Sequence, residues 1–219
     1  EQVISMLSPA PCSFKNQSVL KHNKPLEGES KGERVPSIVI DACAGAGGKT
    51  LAMAELLKGR GRVFAYDIVE SKIQALKKRA VTLGLNNIQG HVLPKHQPGG
   101  GAELEKWLAQ FKESADVVLV DAPCGGWGVL RRNPDIKWRQ TQDELKRLPV
   151  LQLELLERFS ALVRPGGRLV YGLCTFRRAE SEQVVEDFAL KHPEFQSIGG
   201  GYLGPDTSDG FFMWAWERC

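Results

Sequence analysis

The sequence lacks the patterns that would place it in a membrane or a disulfide scaffold. No apolar run approaches the roughly eighteen residues of a spanning helix. The stretch Glu1 to Ile4 carries no basic, apolar, small-residue leader pattern, so the expectation is a protein that is not exported. There is no C-x-x-C pair, and the five cysteines are an odd count, which argues against both a disulfide framework and a structural zinc site. A metal-free site in a reducing compartment follows, with the cytoplasm expected and a nuclear or organellar home left open. Charge of one sign is also scarce: 29 Lys and Arg against 26 Asp and Glu leave +3, which permits a polyanionic partner without demanding one. What is present, 42% hydrophobic and 25% charged residues, excludes a disordered or collagen-like chain. At 219 residues, one medium domain plus arms is expected.

Residues 1–36 are rich in Ser, Pro, Asn and Lys, include Pro9, Pro11, Pro25 and Pro36, and read as an arm or the remnant of an upstream RNA-binding module. From residue 37 to 219, short apolar runs alternate with helical patterns, the grammar of βαβ units on a mostly parallel sheet with helices on both faces. Strands are predicted at Ser37–Ala42, Arg62–Asp67, Ile88–Leu93, Asp116–Asp121 and Arg168–Leu173. Helices are predicted at Lys49–Lys58, Ser71–Leu83, Ala102–Lys112, Leu145–Val163 and Ala179–Lys191, with a loop from Pro94 to Gly101. Phe211–Trp216, entered through Asp209-Gly210, reads as an added strand pairing antiparallel at one side.

Ligands of open α/β sheets bind beyond the carboxyl ends of the strands, and here those ends carry Asp41 to Lys49, Asp67, Asp121 to Cys124, and Cys174. The loop Asp41-Ala42-Cys43-Ala44-Gly45-Ala46-Gly47-Gly48-Lys49-Thr50 has the glycines of a nucleotide-binding turn. Cys43 stands where a phosphate-binding P-loop needs its first Gly, and Thr50 where a dinucleotide loop needs its third. S-adenosylmethionine, which has an adenosine and an amino-acid tail but no phosphate, suits this loop. A tight turn without a ligand is the competing reading. Asp67, twenty residues beyond Gly47, has the spacing of an acid that holds ribose hydroxyls, with a helix cap as its alternative. Cys124 and Cys174 stand at two predicted strand ends facing one cleft, and such a matched pair favours chemistry over burial. Cys12, Cys43 and Cys219 read as structural or incidental thiols, Cys43 lying in the glycine loop. From Arg131 to Arg147 there are six Lys/Arg against three acids, interleaved with Trp138 and preceded by Trp127. That composition suits phosphates and stacked bases, or else a solvated loop.

From about Val35 to Arg218 these residues resemble the Nop/Sun (RsmB-like) family of RNA cytosine-5 methyltransferases. The family's Ala-Ala-Pro-Gly-Gly-Lys core reads Ala-Gly-Ala-Gly-Gly-Lys here, its fourth motif is Asp121-Ala122-Pro123-Cys124, and Leu173-Cys174-Thr175 takes the place of Thr-Cys-Ser. Arg131-Arg132-Asn133-Pro134-Asp135-Ile136-Lys137-Trp138 follows the family pattern, whereas Gly125-Gly126-Trp127-Gly128 replaces the more usual Ser-Gly-Thr-Gly. An acid after the third strand has no counterpart around Leu93-Pro94-Lys95. The resemblance implies a Rossmann-like class I methyltransferase fold with S-adenosylmethionine as cofactor. It implies that Cys43, Ala44, Gly45, Ala46, Gly47, Gly48 and Lys49 wrap the methionine part, with Lys49 at its carboxylate and Asp67 on the ribose. Cys174 is then the nucleophile at C6 of cytosine, and Cys124 helps remove the C5 proton. Asp121 touches the N3/N4 edge and borders the cofactor, and Arg131, Arg132, Lys137 and Trp138 bind RNA, either rRNA or tRNA. A duplexed base hides C6, so the target is single-stranded or flipped out. A methyltransferase acting on another atom and a noncatalytic RNA-binding scaffold stay open as alternatives. A nicotinamide oxidoreductase is weaker, for no Tyr-x-x-x-Lys occurs. The roles of the two cysteines could also be exchanged, because spacing does not rank two thiols.

Overall fold

The computed structural model describes residues 38–94, 102–204 and 209–219. The expected arm at residues 1–36, Cys12 and most of the loop after the third strand lie outside them. In chain order the elements are β1 (Ile38–Asp41), α1 (Gly48–Leu56), β2 (Arg62–Asp67), α2 (Glu70–Thr82), β3 (Ile88–Val92), α3 (Ala102–Gln110) and β4 (Ala115–Asp121). A 3₁₀ turn (Trp127–Val129) and a one-turn helix α4 (Ile136–Arg139) follow, then α5 (Gln142–Ser160), β5 (Val163–Leu173), α6 (Glu182–Lys191), β6 (Phe195–Leu203) and β7 (Phe211–Arg218).

The strands form one seven-stranded sheet in the order β3-β2-β1-β4-β5-β7-β6. The first five strands in this order are parallel, and β7 pairs antiparallel with both β5 and β6. Alternation along each strand sorts side chains onto two faces. Val39, Val63, Val117 and Leu119 pack with Met53 and Ala54 of α1 and with Leu57 at its C-cap, while Ala65 meets Ile73, Leu76 and Ala80 of α2. Ile40, Phe64, Tyr66, Val118 and Val120 turn the other way, toward Leu104 and Leu108 of α3 and Leu156 and Phe159 of α5. This makes a three-layer sandwich with the chain reversal between β1 and β4 opening a crevice at the carboxyl edge.

Several expectations need correction. The expected helix at Leu145–Val163 begins earlier and ends sooner, because Thr141 caps it through Glu144 N (3.2 Å) and Val163 already pairs with Ala115 as strand. Pro149 lies inside this helix without breaking it. A proline has no N–H for the carbonyl four residues back, and Leu145 O receives Arg177 Nη1 instead, at 3.4 Å. The expected fifth strand at Arg168 starts at Val163 and crosses Pro165-Gly166-Gly167 with a shift of register. The expected helix from Ala179 starts at Glu182. Strand β6 is new: its Ile198-Gly199-Gly200-Gly201 centre reads as loop, yet a Cβ on Gly200 would meet Met213 O at 2.0 Å, so the close approach of β7 requires glycine. The C-terminal strand pairs antiparallel as expected, with β6 added outside it.

Candidate functional site

The crevice has two halves. On the first, the chain leaves β1 through Asp41 and turns at Gly45 and Gly47 into α1. Gly47 is the helix N-cap at φ +89, and a Cβ there would stand 2.3 Å from Leu76 Cδ1, so both backbone shape and packing require glycine. Ala44 N donates to Tyr66 O (2.7 Å), which fastens the loop to β2. Asp67 holds it from the side: Oδ2 accepts from Gly45 N at 2.9 Å and Oδ1 from Val69 N at 2.8 Å, with Lys72 Nζ 3.9 Å away. Of the two readings of Asp67, these bonds bear on the structural one: the carboxylate steadies the entry to α2 and also grips the glycine loop. Along the loop Cys43 is half-buried, Ala44 buried, and Ala46 and Gly48 exposed. Open space lies where a Cβ of Gly45 or Gly48 would stand.

Asp41 is buried, and its Oδ2 accepts from Thr50 Oγ1 at 2.7 Å. Its Oδ1 has no hydrogen-bond partner among the described residues. Burial pushes this carboxyl up to about 7, and burial likewise raises the Cys43 thiol, with Asp41, Asp121 and Asp67 adding to that rise. Lys49 Nζ reaches across the crevice to Asp121 Oδ2 at 2.6 Å and lies 5.0 Å over the Phe211 ring. Burial raises Asp121 above the usual carboxylate range, with Lys49 opposing.

The second half lies beyond β4 and β5. Their pairing places Asp121 opposite Gly172, and from there the two chains carry Cys124 and Cys174 to an Sγ–Sγ separation of 3.1 Å, both thiols free. The hydrogen bond from Cys124 holds Cys174 down at about 7, against burial and the Asp121 charge. The same bond, together with burial and the Glu180 carboxylate, holds Cys124 far up, so the contact between the two sulfurs favours the thiolate on Cys174.

Glu180 organises this half, and nothing in the sequence singled it out. Fully buried, it accepts Gly125 N (2.7 Å) and Gln152 Nε2 (3.1 Å) on Oε2 and Arg177 Nη1 (3.0 Å) on Oε1, while its carbonyl accepts Tyr171 O–H at 2.7 Å. Gln152 also donates to Pro123 O at 2.9 Å, and Gly128 N donates to Cys174 O at 2.9 Å. The loops bearing the two thiols are thereby locked to each other and to α5. The basic segment stands on the rim. Arg131, Arg132, Lys137 and Trp138 are exposed, Arg132 pairs with Asp209, and Lys137 Nζ lies 5.2 Å over the Trp138 ring. Among the described residues no group of three or more His, Cys, Asp or Glu could hold a metal, and no helix is long and apolar enough to cross a membrane.

A parallel sheet with this switch point and an antiparallel last strand is the Rossmann-like fold of S-adenosylmethionine-dependent methyltransferases. Residues 30–209 match the family described as 16S rRNA methyltransferase RsmB/F, and the chain belongs to that family. A probable ribosomal RNA small subunit methyltransferase B of Bacillus subtilis is 39% identical over 158 residues, covering 72% of this chain and 34% of that protein. The crystal structure of PH0851 is 31% identical, with a TM-score of 0.75 over 83% of this chain and 42% of that one. NSun6 from Pyrococcus horikoshii, solved with SFG, is 23% identical with a TM-score of 0.67 over 83% of this chain and 47% of that one, a likeness of fold. The chain spans about a third of the length of the Bacillus relative.

Proposed function

We propose that this chain is the catalytic domain of an RNA methyltransferase that places a methyl group on C5 of a cytosine in ribosomal RNA or tRNA, in the cytoplasm, through a covalent cysteine adduct. The observation that carries the reading is the Cys124–Cys174 pair at 3.1 Å, beside Asp121 and across from the glycine loop. The printed names of the curated relatives, ribosomal RNA small subunit methyltransferases, favour rRNA.

The first half of the crevice fits S-adenosylmethionine. Gly45 and Gly48 leave room for a ligand, Asp67 offers a carboxylate for ribose hydroxyls, Lys49 offers charge for a carboxylate, and Asp41 Oδ1 is a buried acceptor without a hydrogen-bond partner among the described residues. Bound there, it would supply an electrophilic methyl group. The rest of the chemistry belongs to the chain. Cytosine C5 is a poor nucleophile, so the Cys174 thiolate adds to C6, forming an S–C6 bond and driving the C5=C6 electron pair toward N3, which takes a proton from the Asp121 carboxyl, raised by burial, and returns it when C5=C6 re-forms. The resulting enamine carries the nucleophilic C5 that takes the methyl. Capture of the Cys174 charge in the S–C6 bond removes the largest cause that raises Cys124. Cys124 then loses its proton to water and, as thiolate, takes the C5 proton, and the C5–H electron pair re-forms C5=C6 and expels Cys174.

The test is RNA from cells lacking the gene, incubated with S-adenosylmethionine and each of two variants. Cys174→Ala is expected to abolish methylation and give no covalent RNA complex. Cys124→Ala is expected to slow release by about 10²–10⁴-fold and accumulate an adduct that survives a denaturing gel. An adduct from Cys174→Ala alone reverses the two roles, and none from either sinks the mechanism.

A further inference from the structure

The rim of the cysteine site carries two aromatic rings that the chemistry above does not use. Phe176, two residues past Cys174, is 56% exposed. Its ring centroid lies 6.3 Å from that of Trp127, the planes inclined at 60°. The indole lies down where residue 125 would carry a side chain: a Cβ on Gly125 would come 2.8 Å from Trp127 Cδ1 and 2.9 Å from Glu180 Oε1. Gly125 and Trp127 are therefore a matched pair, and replacing the first disturbs the second. The next residue, Gly128, donates to Cys174 O and accepts from Gly210 N, each at 2.9 Å, so the turn that holds the indole is tied to the backbone of Cys174 itself. Trp127 Nε1 is buried with no hydrogen-bond partner among the described residues, so the ring is held by its shape rather than by a polar anchor. On the other side Tyr202 O–H donates to Glu182 Oε2 at 2.7 Å and lies 3.5 Å from Phe176 O. Main chain is fixed on both sides of an exposed ring.

We infer that Trp127 and Phe176 form a stacking corner for the nucleobase next to the target cytosine in single-stranded RNA. The inference rests on the site being the RNA-modifying one proposed above and names what it reads beside the reacting base. A base drawn out of its stack leaves its neighbour without a stacking partner, and an ordered aromatic face at that place restores one. The charge around the corner selects a polyanion. The basic segment folds over the same turn, with Ile136 Cδ1 3.2 Å from where a Cβ of Gly126 would stand, and presents exposed Arg131 and Lys137 beside it. An aromatic corner takes any base by its face, so the preference is for the presence of a neighbour base, strongest for purines.

The experiment uses short single-stranded RNAs with one 5-fluorocytosine, either flanked by adenines or carrying an abasic nucleotide at the 5′ or the 3′ neighbour. Binding to wild type, Phe176→Ala and Phe176→Tyr is read by fluorescence anisotropy before S-adenosylmethionine is added. Wild type is expected to prefer the intact RNA over one of the abasic RNAs by about five- to hundredfold. Phe176→Ala is expected to lose that preference and Phe176→Tyr to keep it. A wild type without preference, or a Phe176→Ala that retains it or weakens all three RNAs equally, overturns the inference. A denaturing gel after S-adenosylmethionine is added reads the chemistry separately: a stacking preference without any covalent complex sinks the proposed function and leaves the corner standing.

Discussion

On the glycine-loop side of the crevice, polar groups are satisfied mostly by backbone from the same βαβ unit, whereas on the cysteine side they are satisfied by side chains gathered from distant elements. Asp67 bonds main-chain N–H groups at Gly45 and Val69, in the turns that flank its own strand and the one before it. Glu180 joins Gly125, Gln152 and Arg177, which belong to the loop after β4, to α5 and to the loop after β5. The first arrangement forms as soon as one unit folds. The second exists only when four elements are in place, and a loss there spreads to both thiols. Lys49 and Asp121 are the bridge between the halves.

The largest expected effect breaks the cysteine side. Glu180→Ala leaves the buried Gly125 N without its acceptor and takes one acceptor each from Gln152 and the half-buried Arg177, and is expected to lower unfolding free energy by about 2–4 kcal/mol, read by urea denaturation. Affinity for S-adenosylmethionine, measured by calorimetry below the unfolding midpoint, is expected to stay within about twofold, the free-energy equivalent of some tenths of a kcal/mol. An equal loss of cofactor affinity would mean that the two halves are one cooperative unit. Next in size, Asp67→Ala removes charge-assisted hydrogen bonds from the ligand side, about 1.5–3 kcal/mol or roughly ten- to a hundredfold in cofactor affinity. Its partner measurement is adduct formation on 5-fluorocytosine RNA at saturating cofactor, expected to persist. Unchanged calorimetric affinity removes the ribose assignment.

A smaller effect sharpens the comparison within the cysteine pair. The Cys174 thiolate fraction grows as pH rises through about 7, so labelling of the Cys174 peptide by iodoacetamide should fall away on the acid side of that value. Cys124→Ala removes the hydrogen bond that holds Cys174 down, and the labelling midpoint should move up toward the ordinary thiol range near ~8.5. Coincident midpoints would show that the bond does not set the charge. The smallest effect lies on the rim. Replacing Arg131, Arg132 and Lys137 together by Ala should lessen the slope of log K against log salt by up to about 2, at about 0.7 per single-strand phosphate contact. Arg132 contributes least, since Asp209 already pairs with it. A wild-type slope in the triple variant makes the segment a solvated loop.

The difference between the halves also explains what was legible in advance. The glycine loop, Asp67 and the two thiols stand at strand ends, and alternation plus turn residues locate strand ends from local pattern. Strand β6 was not legible, because its glycines are demanded by the backbone of β7, a neighbour that local pattern does not see. The expected helix at Leu145 already ran through Pro149, but its true start at Gln142 depends on the Thr141 cap, and only Arg177 from a later loop supplies the donor for Leu145 O. Trp127 was noticed for its company of basic residues, while its seat on Gly125 and its angle to Phe176 belong to the folded chain.

By itself the sequence determined the layer order of a parallel sheet, the edge on which the chemistry-bearing residues gather, and which residue types gather there. Those are properties of period, of glycine and proline, and of neighbours along the chain. The tertiary structure alone decided that Cys124 and Cys174 touch, that their contact pulls Cys174 down and pushes Cys124 up, and that Glu180 is a buried keystone rather than one more acid before α6. Each of these turns on a distance of a few ångströms between residues far apart in the chain, and on the water that folding removes from between them.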